Sequence, residues 1–400
     1  MKVLTLRKML ESSAFPPKAL ERFLDSSFPT WAKYDPELGY RLNNVIIQDG
    51  MNNASSIYSY EPNGARRMVH YRDRPCRVNT YGNSFTQCHQ VSDGETWQEV
   101  LAAHFGEPIR NFGVGGYGVY QAYRRMKRME STLDGVPYVI LNIYNDDHYR
   151  NIMACRWIHT TAFHPAAQDG VMFHNTPWVH VRLNLSTGKW TELDNPFNTP
   201  QSLHQLCEPT FIYETYRKDP VAQLETLCKG GQIEEDVPLQ ELANFFGMHL
   251  DFTTEESRRR TARELYTGYA LRSTQFVIEQ TKALLTSRKK KLMILLSYGE
   301  PNVRAAIKGQ PRFDQELVDF LETTRLPFVD MLSQHVEDYH SFRIKPVDYC
   351  RRYYIGHYNP IGNQFFAFAI KNAIVNWLKP KPLTYAENKI SIAEFAAKLA

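Results

Sequence analysis

Four short blocks of this chain carry the groups that acyl transfer to water requires: a nucleophile, a base to deprotonate it, and donors for the oxyanion. Ser84 stands in Tyr81-Gly-Asn-Ser-Phe-Thr86, directly after a predicted strand. A serine at a strand-to-helix transition presents its Oγ outward and sets its own N–H beside the developing negative charge. Gly116 follows a second predicted strand in Asn111-Phe-Gly-Val-Gly-Gly116-Tyr-Gly118. Having no side chain, it lets its N–H approach a ligand closely. Asn145 ends a third strand in Ile143-Tyr-Asn145-Asp146, where its amide offers a further donor. His357, in Gly356-His-Tyr-Asn-Pro360, lies just before the last predicted helix, with its imidazole expected over the sheet edge. Asn83, Tyr117, Tyr144, Asp146, Tyr354 and Asn359, beside these blocks, are the candidates to bind substrate.

Each block also has a plainer reading. Ser84 alone reads as a helix cap, Gly116 as a turn glycine, Asn145 as a strand-end turn residue and His357 as a hydrogen-bonded structural histidine. Asp146, Asp147 and His148 are adjacent, but neighbouring side chains in an extended segment point opposite ways, so no metal site is expected there. Trp157, Trp178, Trp190 and His180 either wall a sugar cleft or fill a local core.

The elements that must position these groups follow an α/β rhythm. Cys76–Tyr81 reads as a strand. Thr96-Trp-Gln-Glu99 has capping-box spacing, and Trp97, Val100, Leu101 and His104 then mark one helical face that stops at Gly106. A strand over Ile109–Phe112 and a helix over Val119–Glu130 come next. Tyr138–Tyr144 is almost wholly apolar, as a parallel strand covered on both faces must be. The rhythm stops over 151–260, where a hairpin-like Val179–Leu193 with a Ser-Thr-Gly turn precedes helical stretches around 221–249. It resumes with a helix over Thr261–Leu285, a strand over Leu292–Tyr298, a helix over Asp314–Glu322 and a strand over Phe328–Leu332. The last helix starts after Pro360, with Ile361, Phe365, Phe368 and Ala369 on one side.

This pattern predicts a parallel sheet between helix layers, whose sites lie at the carboxyl ends of the strands. The expected division is an N-terminal extension over 1–75, the first part of the α/β domain over 76–150, an insertion over 151–260, the second part over 261–380, and a C-terminal tail or helix over 381–400.

Composition excludes other classes. Of 400 residues, 43% are hydrophobic and 22% charged, too apolar for intrinsic disorder. A net charge of +4 is too dilute for a nucleic-acid groove, and Arg258–Arg260 and Lys289–Lys291 read as solvated helix ends. No run approaches the ~20 apolar residues of a membrane span, and Arg7 and Lys8 break the N-terminal apolar run. A cytoplasmic protein with no membrane or nucleic-acid partner is therefore expected. Six cysteines without a CxxC pair read as free thiols. The oligomeric state stays open.

The ordered series GNS, GVGGYG, YND and GHYNPIGN resembles the SGNH, or GDSL-type, hydrolases. The resemblance covers roughly 76–150 and 260–378. It implies a flavodoxin-like three-layer α/β/α fold, Ser84 as nucleophile and His357 as base. Ser84 N–H, Gly116 N–H and the Asn145 side chain would form the oxyanion hole. No cofactor and no metal is implied. The chain departs from the family pattern at Asn83, where Asp is usual, and at Ile143, where Gly is usual. The family's acid, two or three residues before the histidine, is replaced by Ile355 and Tyr354. A main-chain carbonyl could hold the ring instead, a distant carboxylate such as Asp348 or Asp338 could fold back, or hydrolysis has been lost. The expected function is a serine esterase or deacetylase removing a short acyl group from a small molecule or carbohydrate. Its alternatives are an SGNH-like binding or scaffolding module without turnover, and a glycan-active enzyme using Asp146 and Asp147.

Overall fold

The computed structural model describes residues 4–160, 171–234, 237–386 and residue 397. Most of the expected tail or helix over 381–400 thus lies outside the described residues. The chain begins with helices Leu6–Glu11 and Pro17–Leu24 and two antiparallel ribbons. These ribbons are β1 (Ala32–Asp35) with β2 (Gly39–Leu42), and β3 (Val45–Ile47) with β4 (Ser56–Tyr58). The central sheet takes β5 (Val78–Gly82), β6 (Arg110–Asn111) and β7 (Tyr138–Tyr144). After the antiparallel hairpin β8 (His180–Asn184) and β9 (Lys189–Leu193), it adds β10 (Lys291–Ser297) and β11 (Phe328–Asp330).

All pairings in this sheet are parallel, in the order β11-β10-β7-β5-β6. Parallel strands end on one edge, so the turns after β5, β6 and β7 share one rim. The chain leaves β5 to one side for β6 and returns to the other for β7. The crevice between β5 and β7 is therefore the switch point where such sheets bind ligands. The burial of β7 and β10 explains their apolar runs: six residues of each, Tyr138–Ile143 and Leu292–Ser297, are buried.

Helices α1 (Ser84–Gln87), α2 (Trp97–Phe105), α3 (Val119–Met129) and α4 (Asp147–Asn151) follow the first three strands. The long α5 (Glu255–Ser287) packs on β10, α3 and α4. Then come α6 (Met331–Tyr339), α7 (Pro346–Tyr353) and α8 (Pro360–Trp377). Helix α8 docks on α2 and α7, and α6 on β10, so a second helix group flanks the sheet.

Local details depart from the sequence reading. Thr96 caps α2 by accepting the Glu99 N–H, but the Glu99 carboxylate turns to the His70 main chain and ring instead of closing the box. The box closes one turn earlier, between Ser92 and Glu95. On α8 the inward face is Phe366, Ile370 and Ile374, because Phe366 meets the Trp97 ring at 5.2 Å. Ile361 and Phe368 of the expected face are exposed, at 46% and 48%. Trp157 and Trp178 are buried, and Trp190 stacks on Tyr269, so these tryptophans fill core. His180 is buried with them. One hydrophobic cluster joins residues of the N-terminal extension, both sheet halves and the 151–260 segment.

Candidate active site

Ser84 is placed by the close parallel pairing of β5 with β7. Gly82 has φ +150, and a Cβ there would strike the Asn142 carbonyl on β7, so only glycine lets the two strands approach this closely. Asn83 then caps α1. Its Oδ1 accepts the Phe85 N–H at 2.7 Å, and its Nδ2 donates to the Asn142 carbonyl at 3.2 Å and to the Asp147 carboxylate. Trp97 Nε1 donates to Phe85 O at 3.1 Å and ties α1 to α2. Ser84 is the first residue of α1, where an N–H has no partner within the helix. Its side chain lies at the rim, with 8% of the residue exposed.

His357 meets it across 273 positions. Its Nε2 lies 2.8 Å from Ser84 Oγ. The ring's other nitrogen, Nδ1, is 3.1 Å from Gln90 Oε1, and the same oxygen accepts the His357 main-chain N–H at 2.8 Å. Gly356, at φ +113, makes room: a Cβ there would come within 2.9 Å of Gln90 Oε1. Gln90 is itself fixed, because its Nε2 donates to Asp49 O at 3.1 Å and its N–H to the Tyr58 hydroxyl at 2.7 Å. Neither distant carboxylate reaches the ring. Asp338 accepts the Tyr349 and Tyr353 hydroxyls, and Asp348 is exposed and pairs with Arg351. The group that holds the imidazole is thus a side-chain amide, not a main-chain carbonyl and not an acid.

A cleft of about 450 Å³ opens over this pair, with Gly116, Tyr144 and Asp146 in its wall. Gly116 has φ +88, and a Cβ would run into the Tyr40 hydroxyl and lie 2.7 Å from Arg156 Nη1. The neighbouring Gly115 N–H is used by Gln87 Oε1 at 2.9 Å. Tyr144 stacks on Phe85, with centroids 4.4 Å apart. A larger groove of about 1000 Å³ runs along α5. Its lining alternates acids and arginines and holds no serine, cysteine or histidine, so the groups that acyl transfer requires line the smaller cleft.

The expected oxyanion donor Asn145 and several expected substrate contacts turn elsewhere. Asn145 turns its Nδ2 to Asp146 at 2.7 Å and its Oδ1 to the Gly299 N–H at 2.9 Å, away from the cleft wall. The Tyr354 hydroxyl donates to Tyr298 O and meets His335. Asn359 caps α8 and is fully buried. Tyr117 is buried, its hydroxyl given to Tyr40 O. Asn83 is a clamp within the fold, as above. In each case a polar group of the fold itself takes the hydrogen bond. Of the Asp-Asp-His trio, Asp147 pairs with Arg150 at 2.7 Å and His148 Nδ1 meets Thr274 Oγ1. Among the described residues no group of acids, cysteines and histidines could hold a metal ion.

Positive charge in the cleft comes from residues that the sequence reading did not single out. Arg150 is held by Asp147 and, at 3.5 Å, by Asp146. Arg156 donates to Gly116 O at 3.2 Å and Asn175 Oδ1 at 3.3 Å. Burial drives the His357 imidazole well below the usual histidine range, and nearby His89, Arg150 and Arg156 push the same way. The ring is therefore neutral at physiological pH, the state in which an imidazole nitrogen can accept a proton. His89, 3.3 Å from Asp49, sets its ring 5.0 Å from that of His357.

No family model matches this chain, and no curated protein matches it. Among the described residues no helix is long and apolar enough to cross a membrane.

Proposed function

We propose that this chain is a serine hydrolase of SGNH type that cleaves a short acyl ester on a polar, carbohydrate-like substrate. The observation that carries the proposal is the 2.8 Å approach of His357 Nε2 to Ser84 Oγ at the switch point of a parallel sheet. Counted within the sheet alone, the strand order is 2-1-3-4-5, that of flavodoxin-like folds, which supports the resemblance. Ser84 Oγ attacks the ester carbonyl while His357 Nε2 takes its proton. The oxyanion forms beside the Ser84 and Gly116 N–H groups. His357 then protonates the departing alkoxide, and water hydrolyses the acyl-enzyme by the same steps in reverse order.

A fluorophosphonate probe tests this directly. It should label the wild-type protein, and Ser84→Ala and His357→Ala should remain unlabelled. Equal labelling of Ser84→Ala removes this serine from the reaction.

A second reading, a binding module without turnover, is favoured by one observation: no carboxylate contacts His357 among the described residues. Hydrolysis of an aryl acetate that depends on His357 decides against it. The carboxylate-based glycan reading has little support, because Asp147 is only 1% exposed and bound to Arg150.

A further inference from the structure

Arg156 shares the cleft with Ser84 and His357, yet both of its protein acceptors are neutral: Gly116 O and Asn175 Oδ1, each bonded to Nη1. Among the described residues no carboxylate lies within ion-pair distance of it. Other enclosed guanidinium groups meet acids, as Arg66 does Asp93, Arg182 does Asp219, and Arg312 does Asp314 and Asp330. Arg125 also lacks an acid, but it bonds Gly64 O and lies over the Phe112 ring, outside the cleft.

The Arg156 head is held rather than loose. Asn175, itself at φ +65, accepts the N–H of the next residue, Trp157, on its carbonyl at 2.8 Å, so the segment that carries the guanidinium is tied to the residue that holds it. One edge of the fork is thus fixed against the Gly116 carbonyl. The other, Nη2 and Nε, has no acceptor among the described residues and is not sealed from solvent. Burial and the neighbouring Arg150 pull the Arg156 pKa down to about 10, which leaves it charged at neutral pH and short of a counter-ion. A planar fork with an open edge matches a carboxylate in two-point contact. Asp146, the acid of the described cleft wall, is drawn to Arg150 instead.

We propose that Arg156 binds a carboxylate carried by the substrate beside its scissile ester, so that the preferred substrates are anionic esters. This rests on the hydrolase reading above and names its substrate class. The carboxylate can belong to the acyl part, as in a hydrogen succinate ester, or to the alcohol part, as in an acetylated uronic acid.

The test compares charged and neutral partners of otherwise similar shape. 4-Nitrophenyl hydrogen succinate is set against its methyl ester, and an O-acetyl methyl glucuronoside against its methyl ester. Wild-type protein should favour the free acid of one pair at least 10-fold in kcat/KM, and the preferred pair identifies the side that carries the charge. In Arg156→Gln that ratio should fall to near one. In Arg156→Lys, which keeps the charge without the fork, it should be intermediate. Melting curves confirm that both variants are folded. A wild-type ratio near one in both pairs, or a ratio that survives in Arg156→Gln, overturns the proposal. Should no ester be turned over, the hydrolase reading fails by itself, and the anion site is then read by calorimetry with glucuronate. Heat that is lost in Arg156→Gln upholds the site, and absence of heat with wild-type protein overturns it.

Discussion

Gln90 Oε1 accepts two hydrogen bonds from one residue, the His357 main-chain N–H at 2.8 Å and the His357 ring Nδ1 at 3.1 Å. The main-chain group can only donate, so the atom it meets is the amide oxygen. The amide nitrogen is assigned by the same logic, since it faces the Asp49 carbonyl. The ring must then carry its proton on Nδ1, which leaves the Nε2 lone pair for the Ser84 hydroxyl. In the proposed hydrolase a neutral side chain here would do half the work of a triad acid: it selects the tautomer and orients the ring. It would add no negative charge to stabilise an imidazolium formed on deprotonation of the serine.

Changing Gln90 separates those two halves. Gln90→Leu removes the acceptor and should lower kcat on an aryl acetate by ~10²–10⁴, the range seen when a catalytic histidine loses its proper tautomer or its base function. KM should move little, because Gln90 acts through His357. Gln90→Glu restores a charge next to the ring, which favours imidazolium, so the acid limb of the kcat profile should move to higher pH. Its second oxygen would face Asp49 O, where the amide now donates at 3.1 Å, so some stability is lost. An unchanged pH profile in Gln90→Glu, or full activity in Gln90→Leu, would show that the ring is held by something else.

The parallel strands were readable because burial on both faces forces an unbroken apolar run, as in Tyr138–Tyr144, which the structure matches end for end. The positions of Ser84 and His357 were readable from punctuation: Gly82 ends the strand before Ser84, and Pro360 opens the helix after His357. Gln90 was not. A glutamine six residues past a serine carries no charge and no periodic signal, and its role exists only because Gly356 lets it approach. Arg150 and Arg156 were hidden in the same way, since arginine is usually a surface residue and neither lies in a motif. The α8 face was misread because phenylalanines occur on both sides of that helix, and only the contact of Phe366 with Trp97 selects one.

The two outer oxyanion candidates now divide. Asn145 has its amide committed to Asp146 and its oxygen to Gly299, so Asn145→Ala should change kcat less than ~10-fold, below the ~10²–10³ usual for a lost oxyanion donor. Gly116→Ala should lose at least that larger amount. Its φ of +88 is strained for alanine, and the added methyl runs into the Tyr40 hydroxyl. Steady-state kinetics of the two variants, with melting curves to confirm folding, check the contrast. A ~10³-fold loss in Asn145→Ala would mean that its amide swings into the cleft when substrate binds.

Stability should fall in acid earlier than carboxylate titration alone would cause. Burial holds His148 at about 4, His180 at about 4 and His335 at about 3, against an ordinary 6.5. Below pH 6.5 the unfolded chain binds protons that the folded chain refuses. The stability these rings contribute is complete above 6.5 and is lost progressively as pH falls toward 4 and below. Each missing proton is worth ~1.4 kcal/mol per pH unit within that window. His357, also lowered, acts in the same direction. Asp147 opposes them: burial raises its carboxyl to about 7 from 3.8, so the folded state takes up that proton first, and its share is gained as pH falls from 7. Several histidines against one carboxyl leave a net loss. The melting temperature should therefore drop steadily between pH 6.5 and 4.5, a range above the ordinary titration of most carboxylates. His335→Gln, which can keep a donor and an acceptor among the surrounding tyrosine hydroxyls, should flatten that slope by about one proton. A melting temperature level across the window would mean that these rings are already protonated in the folded chain.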